Sequence, residues 1–374
     1  MNALAKPYDV SVIRKDFPIL SREVYGKPLV YLDNAASAQK PEAVIEAMTR
    51  LMREDYANVH RGLHYLANAS TEAYEAARES ARRFLNAAHL EEIVFTRSST
   101  GALNTVASSL GRYLKIQEGD EIILSILEHH SNIVPWHYWR ERHGAVIKWA
   151  PIDEDGNFLI AEFEKLISPR TKVVSLTQMS NAIGTIIPVA EVAAICRSYG
   201  IPLVVDGSQG AVHLPVDVQA LGCDFYAFTG HKALLGIAGT GGFVIKDPEA
   251  IAPVRFGGTG TDSFSLHHPA GMPERFEIGT HNYPGLAALA AGVEFLNETG
   301  LAIIREKGEK QTLFLIRELK KEENIMIYND HPDLPIIAFN IKGLQNDDVG
   351  FMLARGYNII SRTGLHCAPL VHKA

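Results

Sequence analysis

Apolar positions along the 374-residue chain recur with two different spacings, and the switch between them sets the architecture. Residues 40–55 read as an amphipathic helix: Val44, Met48 and Leu51 share one face and Pro41 stands near the start. Residues 70–86, rich in Ala, Glu and Arg, predict a second helix with Ser70 or Thr71 as its N-cap. From residue 92 onward short apolar runs alternate with helical stretches. Strands are predicted over 92–96, 121–126, 172–176, 202–206, 225–229 and 241–245. Helices are predicted over 100–110, 136–142 and 189–199.

This alternation implies an α/β fold, a mostly parallel central sheet covered by helices on both faces. In such sheets the functional groups gather at the carboxyl ends of the strands. Beyond residue 290 the texture changes to a long helix over 302–321, a strand over 335–341 and a helix over 347–355. The reading is an N-terminal segment (1–25) that joins a small α+β C-terminal domain (291–374), and a large domain (26–290) between them.

Composition narrows the function. Lys plus Arg number 36 and Asp plus Glu 43, a net charge of −7, so no broad basic field favours nucleic acid. No apolar run approaches the length of a membrane span, and the first residues carry no apolar signal core, so a cytoplasmic protein without membrane partners is expected. The three cysteines, Cys196, Cys223 and Cys367, form no C-x-x-C pair, which disfavours both a disulfide framework and zinc. Cys196 lies in a helical pattern and Cys223 precedes an apolar strand, so both read as core thiols.

The chemistry-bearing residues follow the strands. Asp206 ends one apolar strand in Asp206-Gly207-Ser208-Gln209, and Thr229-Gly230-His231-Lys232 ends another. Taken singly, these are a capping Asp and a surface Lys. Together, an acid and an amine at strand ends suit pyridoxal phosphate (PLP), the amine taking the aldehyde and the acid pairing with the ring nitrogen. Ser98-Ser99-Thr100-Gly101 opens a helix after a strand, as a phosphate cradle or as a plain N-cap. Glu128-His129-His130-Ser131-Asn132 offers a histidine to stack on the ring and move protons, or histidines with structural duties. Adjacent histidines diverge and no third ligand stands near, so no metal is expected. Arg362 in the last segment could grip a carboxylate, and Cys367, flanked by Arg and His, is the candidate reactive thiol.

These residues resemble the class V branch of fold-type I PLP enzymes, and more narrowly the Suf-type cysteine desulfurases and their selenocysteine lyase relatives. The likeness runs from Asp16-Phe17-Pro18-Ile19-Leu20 and Tyr31-Leu32-Asp33-Asn34-Ala35-Ala36 through Asn58-Val59-His60-Arg61-Gly62, Ser180-Asn181 and Arg275-Phe276-Glu277-Ile278-Gly279-Thr280 to residues 362–369. The resemblance implies an enzyme that converts L-cysteine to L-alanine and leaves the sulfur as a persulfide on Cys367. It implies Lys232 as the PLP lysine, Asp206 at the ring nitrogen, Gln209 at the phenolic oxygen and His129 stacked on the ring as acid–base. Ser99, Thr100, Thr229 and His231 would hold the phosphate. Asn181 would lie by the phenolic oxygen and the substrate carboxylate, and Arg362 on the substrate side or under the loop. Thr280 would reach the phosphate of a second subunit in a homodimer. A sulfur-acceptor protein would follow, for iron–sulfur cluster assembly or thiolated cofactors. Selenocysteine lyase, another class V activity such as an epimerase, or a non-catalytic partner on the same fold are the alternatives.

Three departures stand out. Ser98-Ser99-Thr100-Gly101 replaces the family's Gly-Thr-Thr-Glu while keeping the hydroxyls. The stretch from Gly257 to Ser263 differs from the family's Gly-Gly-Glu-Met-Ile hairpin. The family's pattern continues past Ala374 to an Arg that binds the substrate carboxylate, and weakened substrate binding is expected of this chain.

Overall fold

The computed structural model describes residues 8–60, 62–260, 264–330 and 335–373. Arg61, Thr261, Asp262, Ser263 and Ala374 lie outside the described residues, as do residues 1–7 of the N-terminal segment.

Seven strands form the central sheet: β1 (Ile93–Thr96), β2 (Glu121–Ser125), β3 (Val146–Ala150), β4 (Thr171–Thr177), β5 (Leu203–Asp206), β6 (Phe225–Thr229) and β7 (Gly241–Ile245). Their order is β1-β7-β6-β5-β4-β2-β3. β7 runs antiparallel to both neighbours, and the other four pairings are parallel. The strands at the middle of the sheet are buried on both faces, which is why they read as unbroken apolar runs. One apolar core contains Tyr74, Phe228 and Leu289, and a second contains Leu103, Trp136 and Phe243.

Among the described residues, the helices of ten residues or more are α1 (Glu42–Glu54), α2 (Tyr65–Leu85), α3 (Ser99–Tyr113), α4 (His130–His143), α5 (Val189–Ser198), α6 (Tyr283–Thr299), α7 (Leu301–Leu319) and α8 (Asn346–Tyr357). α6 packs on α1 and α2 and meets α7 at 77° across Gly300, whose φ of +93° suits a residue without Cβ. Residue 290 falls inside α6. No single helix among the described residues is long and apolar enough to cross a membrane.

The structure differs from the sequence reading in four places. α2 begins at Tyr65, capped by the His64 ring, which accepts the Ala67 N–H. Ser70 and Thr71 are not caps: their hydroxyls accept the N–H groups of Ala57 and His60 and so fasten the preceding loop to the helix. α4 begins six residues earlier than expected because His129 caps it, and Pro135 is accommodated inside. The strand expected over 335–341 contracts to Phe339–Ile341 (β9), paired with β8 (Ile325–Ile327). β3 and α6 are additional elements that the apolar spacing does not reveal.

Candidate active site

The parallel strands deliver the chemically capable residues to one end of the sheet. Asp206 closes β5 in register with Thr177 of β4 and Ala227 of β6. Lys232 follows β6, His129 follows β2, and the first turn of α3 follows β1. A cavity of about 1670 Å³ opens there. Its walls include Ser99, Thr100, His129, Asn181, Asp206, Gln209, Thr229, His231, Lys232, Arg362 and Cys367. Thr280 is not among the lining residues and is exposed.

Asp206 is buried, and its Oδ1 accepts both the N–H (3.0 Å) and the hydroxyl (2.5 Å) of Ser208. Its second oxygen has no hydrogen bond among the described residues. Burial pushes the Lys232 amine below the ordinary lysine range, against the pull of Asp206 and Cys367. Burial, then the Lys232 charge, likewise lowers the His129 imidazole. A neutral ring follows, and its Nδ1 accepts the Ser131 N–H at 3.1 Å, so the proton resides on Nε2. The Ser131 hydroxyl joins His129 Nδ1 (2.9 Å) to Thr100 Oγ1 (2.7 Å).

The start of α3 is an anion cradle. Ser98 caps it by accepting the Gly101 N–H, and the Ala102 N–H bonds the Ser98 carbonyl. The N–H groups of Ser99 and Thr100 then have no acceptor within the helix. Thr229 Oγ1 is buried without a hydrogen-bond partner among the described residues. An orphaned hydroxyl, free helix N–H groups, an unbonded carboxylate oxygen and an amine without a hydrogen bond among the described residues fit the phosphate, ring nitrogen and aldehyde of PLP.

The carbonyl of His231, one residue before Lys232, receives three donors: the Ala38 N–H (3.0 Å), Lys40 Nζ (3.0 Å) and Ser37 Oγ (3.3 Å). Sequence reasoning gives none of these a role, because the contact spans most of the large domain. Burial lowers the Lys40 amine to about 8. Gln209 donates from Nε2 to the Ala35 carbonyl (2.8 Å), which leaves one amide hydrogen for a ligand.

Cys367 is exposed, whereas Cys196 and Cys223 are buried and pushed up to about 12 by that burial. The Cys367 segment is held through its backbone. Asn181 Nδ2 donates to the His366 carbonyl at 2.7 Å, and the His130 N–H donates to the Cys367 carbonyl at 2.7 Å. His366 and Cys367 both occupy the left-handed region (φ 53° and 55°), which non-glycine residues adopt at a cost. Arg362 makes a bidentate pair with Asp33 through Nε (3.0 Å) and Nη2 (2.9 Å), so its planar fork is already occupied. Among the described residues no group of three His, Cys, Asp or Glu could hold a metal ion.

The aminotransferase class-V family model matches residues 30–374. A probable cysteine desulfurase of Halalkalibacterium halodurans is 42% identical over 96% of this chain and 89% of its own length. Among solved structures, the apo cysteine desulfurase of Thermococcus onnurineus superposes with a TM-score of 0.91 at 34% identity, covering 99% of this chain and 91% of that one. A cysteine desulfurase from Escherichia coli in an S-sulfonic acid form gives 0.88 at 34%, covering 98% and 91%. With its seven-stranded sheet, its acid and amine at neighbouring strand ends and a family match over nearly the whole length, the chain belongs to the class-V aminotransferases.

Proposed function

We propose that this protein is a PLP-dependent cysteine desulfurase that converts L-cysteine to L-alanine and takes the sulfur onto Cys367. The observation that carries the reading is an exposed thiol, fixed through its backbone, in the same cavity as Lys232, Asp206 and His129. PLP, when bound, supplies the electron sink that stabilises charge at the substrate's α-carbon. Lys232 would hold the aldehyde, Asp206 would keep the ring nitrogen protonated, and the α3 N-terminus with Thr229 and His231 would hold the phosphate. The second amide hydrogen of Gln209 is available to the phenolic oxygen.

His129 lines the cavity with Nδ1 engaged by Ser131, and its Nε2–H would pass a proton between substrate and site. The Cys367 thiolate attacks the substrate sulfur, the carbon–sulfur bond breaks toward carbon, and a proton completes alanine. The enzyme is left with Cys367–S–SH, which a sulfur-acceptor protein must unload, as iron–sulfur cluster assembly would require. Asn181 acts on the Cys367 loop through the His366 carbonyl, and Arg362 positions the same segment against Asp33.

A homodimer suits the exposed residues beside the Thr280 loop. His60 packs edge-on to Tyr74, and Tyr74 neighbours His281, so the segment bearing the fully exposed Leu63 and the exposed Tyr65 adjoins Thr280. Thr280 on that surface would serve a second subunit rather than its own cavity. Three free cysteines suit a reducing, cytoplasmic setting.

The test is alanine formation from L-cysteine by the PLP-loaded protein. Cys367→Ala should abolish alanine and persulfide while keeping the yellow lysine-bound cofactor, and Lys232→Ala should lose both. Undiminished turnover by Cys367→Ala would refute the persulfide step. A protein that stays colourless with added PLP would refute the cofactor assignment.

A further inference from the structure

Directly before His129 lies Glu128, a wholly buried carboxylate to which the desulfurase chemistry above assigns no role. Its Oε1 accepts the Ser125 hydroxyl (2.5 Å) at the end of β2 and the Thr177 N–H (2.9 Å) at the end of β4. Its Oε2 accepts Asn132 Nδ2 (2.7 Å) in the first turn of α4. The direction of these bonds is fixed from outside. Trp136 Nε1–H, which can only donate, bonds Asn132 Oδ1 (3.3 Å), as does the Ser175 hydroxyl (2.6 Å). Asn132 must therefore turn its NH₂ toward Glu128. The Thr177 N–H, a backbone group, also can only donate.

Both oxygens at position 128 thus face obligatory donors, and only a group with two acceptors satisfies them. A carboxyl group does, either ionised or protonated on Oε1 with the Ser125 hydroxyl turned to accept. A glutamine would set one NH₂ against another N–H. Of the groups bonded to it, Ser125 alone can reverse its hydroxyl. Among the described residues no cation makes an ion pair with Glu128: the charged group acting on it from the packed elements is Asp206 on β5, and its own segment continues into His129 and His130. Burial, with Asp206 adding to it, pushes the carboxyl up to about 7.

We propose that Glu128 is a positioning residue for the reaction: its carboxyl group ties the ends of β2 and β4 to the first turn of α4 and so fixes the backbone that carries His129. This rests on the desulfurase reading for its kinetic consequence, though not for its geometry. Thr177 also stands opposite Asp206 in the register of β4 with β5, and the next N–H along, that of Gln178, donates to the Asp206 carbonyl (2.9 Å), so the same tie reaches the strand end that would hold the ring nitrogen.

The experiment compares the PLP-loaded wild type, Glu128→Gln, and the double variant Glu128→Gln/Asn132→Asp. In the double variant the new amide at position 128 donates to the new carboxylate at position 132. That carboxylate still accepts Trp136 and Ser175, so the wiring is restored with the charge moved by one side chain. Glu128→Gln is expected to lower kcat with L-cysteine by roughly ten- to a hundredfold with KM little changed, and to weaken the visible circular dichroism of the bound cofactor. The double variant should recover both. Wild-type kcat and dichroism in Glu128→Gln, or a double variant no better than the single one, would overturn the proposal. Should Glu128→Gln not fold, Ser125→Ala removes one donor from the same carboxylate. A several-fold loss of kcat supports the tie, and no change overturns it. A wild type that forms no alanine refutes the desulfurase reading, and the dichroism comparison still decides the role of Glu128.

Discussion

Two buried carboxylates in this protein meet opposite fates. Glu277 is gripped by Arg78 through Nη1 and Nη2 (2.8 Å each) and also accepts the Tyr74 hydroxyl (2.5 Å) and the Phe95 N–H (2.6 Å). Burial alone would push its carboxyl up, but the Arg78 charge overrides this and holds it below the usual range. Glu128 has three neutral donors and, among the described residues, no cation paired with it, and burial pushes it up to about 7. One carboxylate is electrically closed and braces α2 against β1. The other is left in tension at the mouth of the sheet, beside His129. The difference separates a device for stability from one for chemistry: a site that must handle protons retains groups whose ionisation the fold does not fully offset.

The sharpest way to break this contrast is to remove one side of the closed pair. Arg78→Met should cost about 3–5 kcal/mol in urea unfolding, because it strands a buried charge, while Arg78→Met/Glu277→Leu should recover most of the loss. If the single variant proves mild, the Glu277 network is not a closed ion pair.

The second prediction concerns pH and has opposite signs at the two positions. Glu128 has a folded pKa above its unfolded value of 4.5, so its contribution to stability is fully present below about 4.5 and is lost as pH rises through about 7. The span corresponds to up to about 3 kcal/mol, and Glu128→Gln should flatten it. Glu277 has a depressed pKa, so its contribution is present above the unfolded value and lost as pH falls through the folded one. Urea midpoints of wild type and Glu128→Gln between pH 5 and 8 check the sign. Parallel curves would contradict the assignment.

Smaller effects sharpen the comparison further. Tyr74→Phe removes one bond to Glu277 and should cost about 1–2 kcal/mol while leaving alanine formation unchanged. Arg362→Met breaks a pair whose arginine is half exposed, so it should cost at most about 1 kcal/mol of stability. Its larger effect should fall on sulfur transfer to Cys367, read as persulfide formed per turnover, because the pair anchors the segment that carries the thiol.

The chemically central residues are legible because they follow apolar strands. Asp206, Lys232 and His129 sit where a parallel sheet collects its functional groups, and the structure brings them to one cavity. The rest is hidden for physical reasons. The Arg78–Glu277 pair and the Asp33–Arg362 pair join residues far apart in the chain, and spacing carries no sign of such contacts. β3 contains Lys148 and Trp149 at the edge of the sheet, which blurs the apolar run. Ser70 and Thr71 are good caps by residue type, but here their hydroxyls serve a loop. Glu128 stands beside the two histidines that draw the eye in the sequence. Its role depends on the direction of the Asn132 amide, which is set by an indole four residues further along α4.

The anchoring of residue 367 at its peptide carbonyl, with the neighbouring carbonyl held as well, has a mechanical consequence. A tethered main chain leaves the sulfur a single bond about which to swing, so facing inward and facing bulk water are alternative rotamers of one side chain. Loading and delivery then require a rotation lasting nanoseconds or less rather than the opening of a flap.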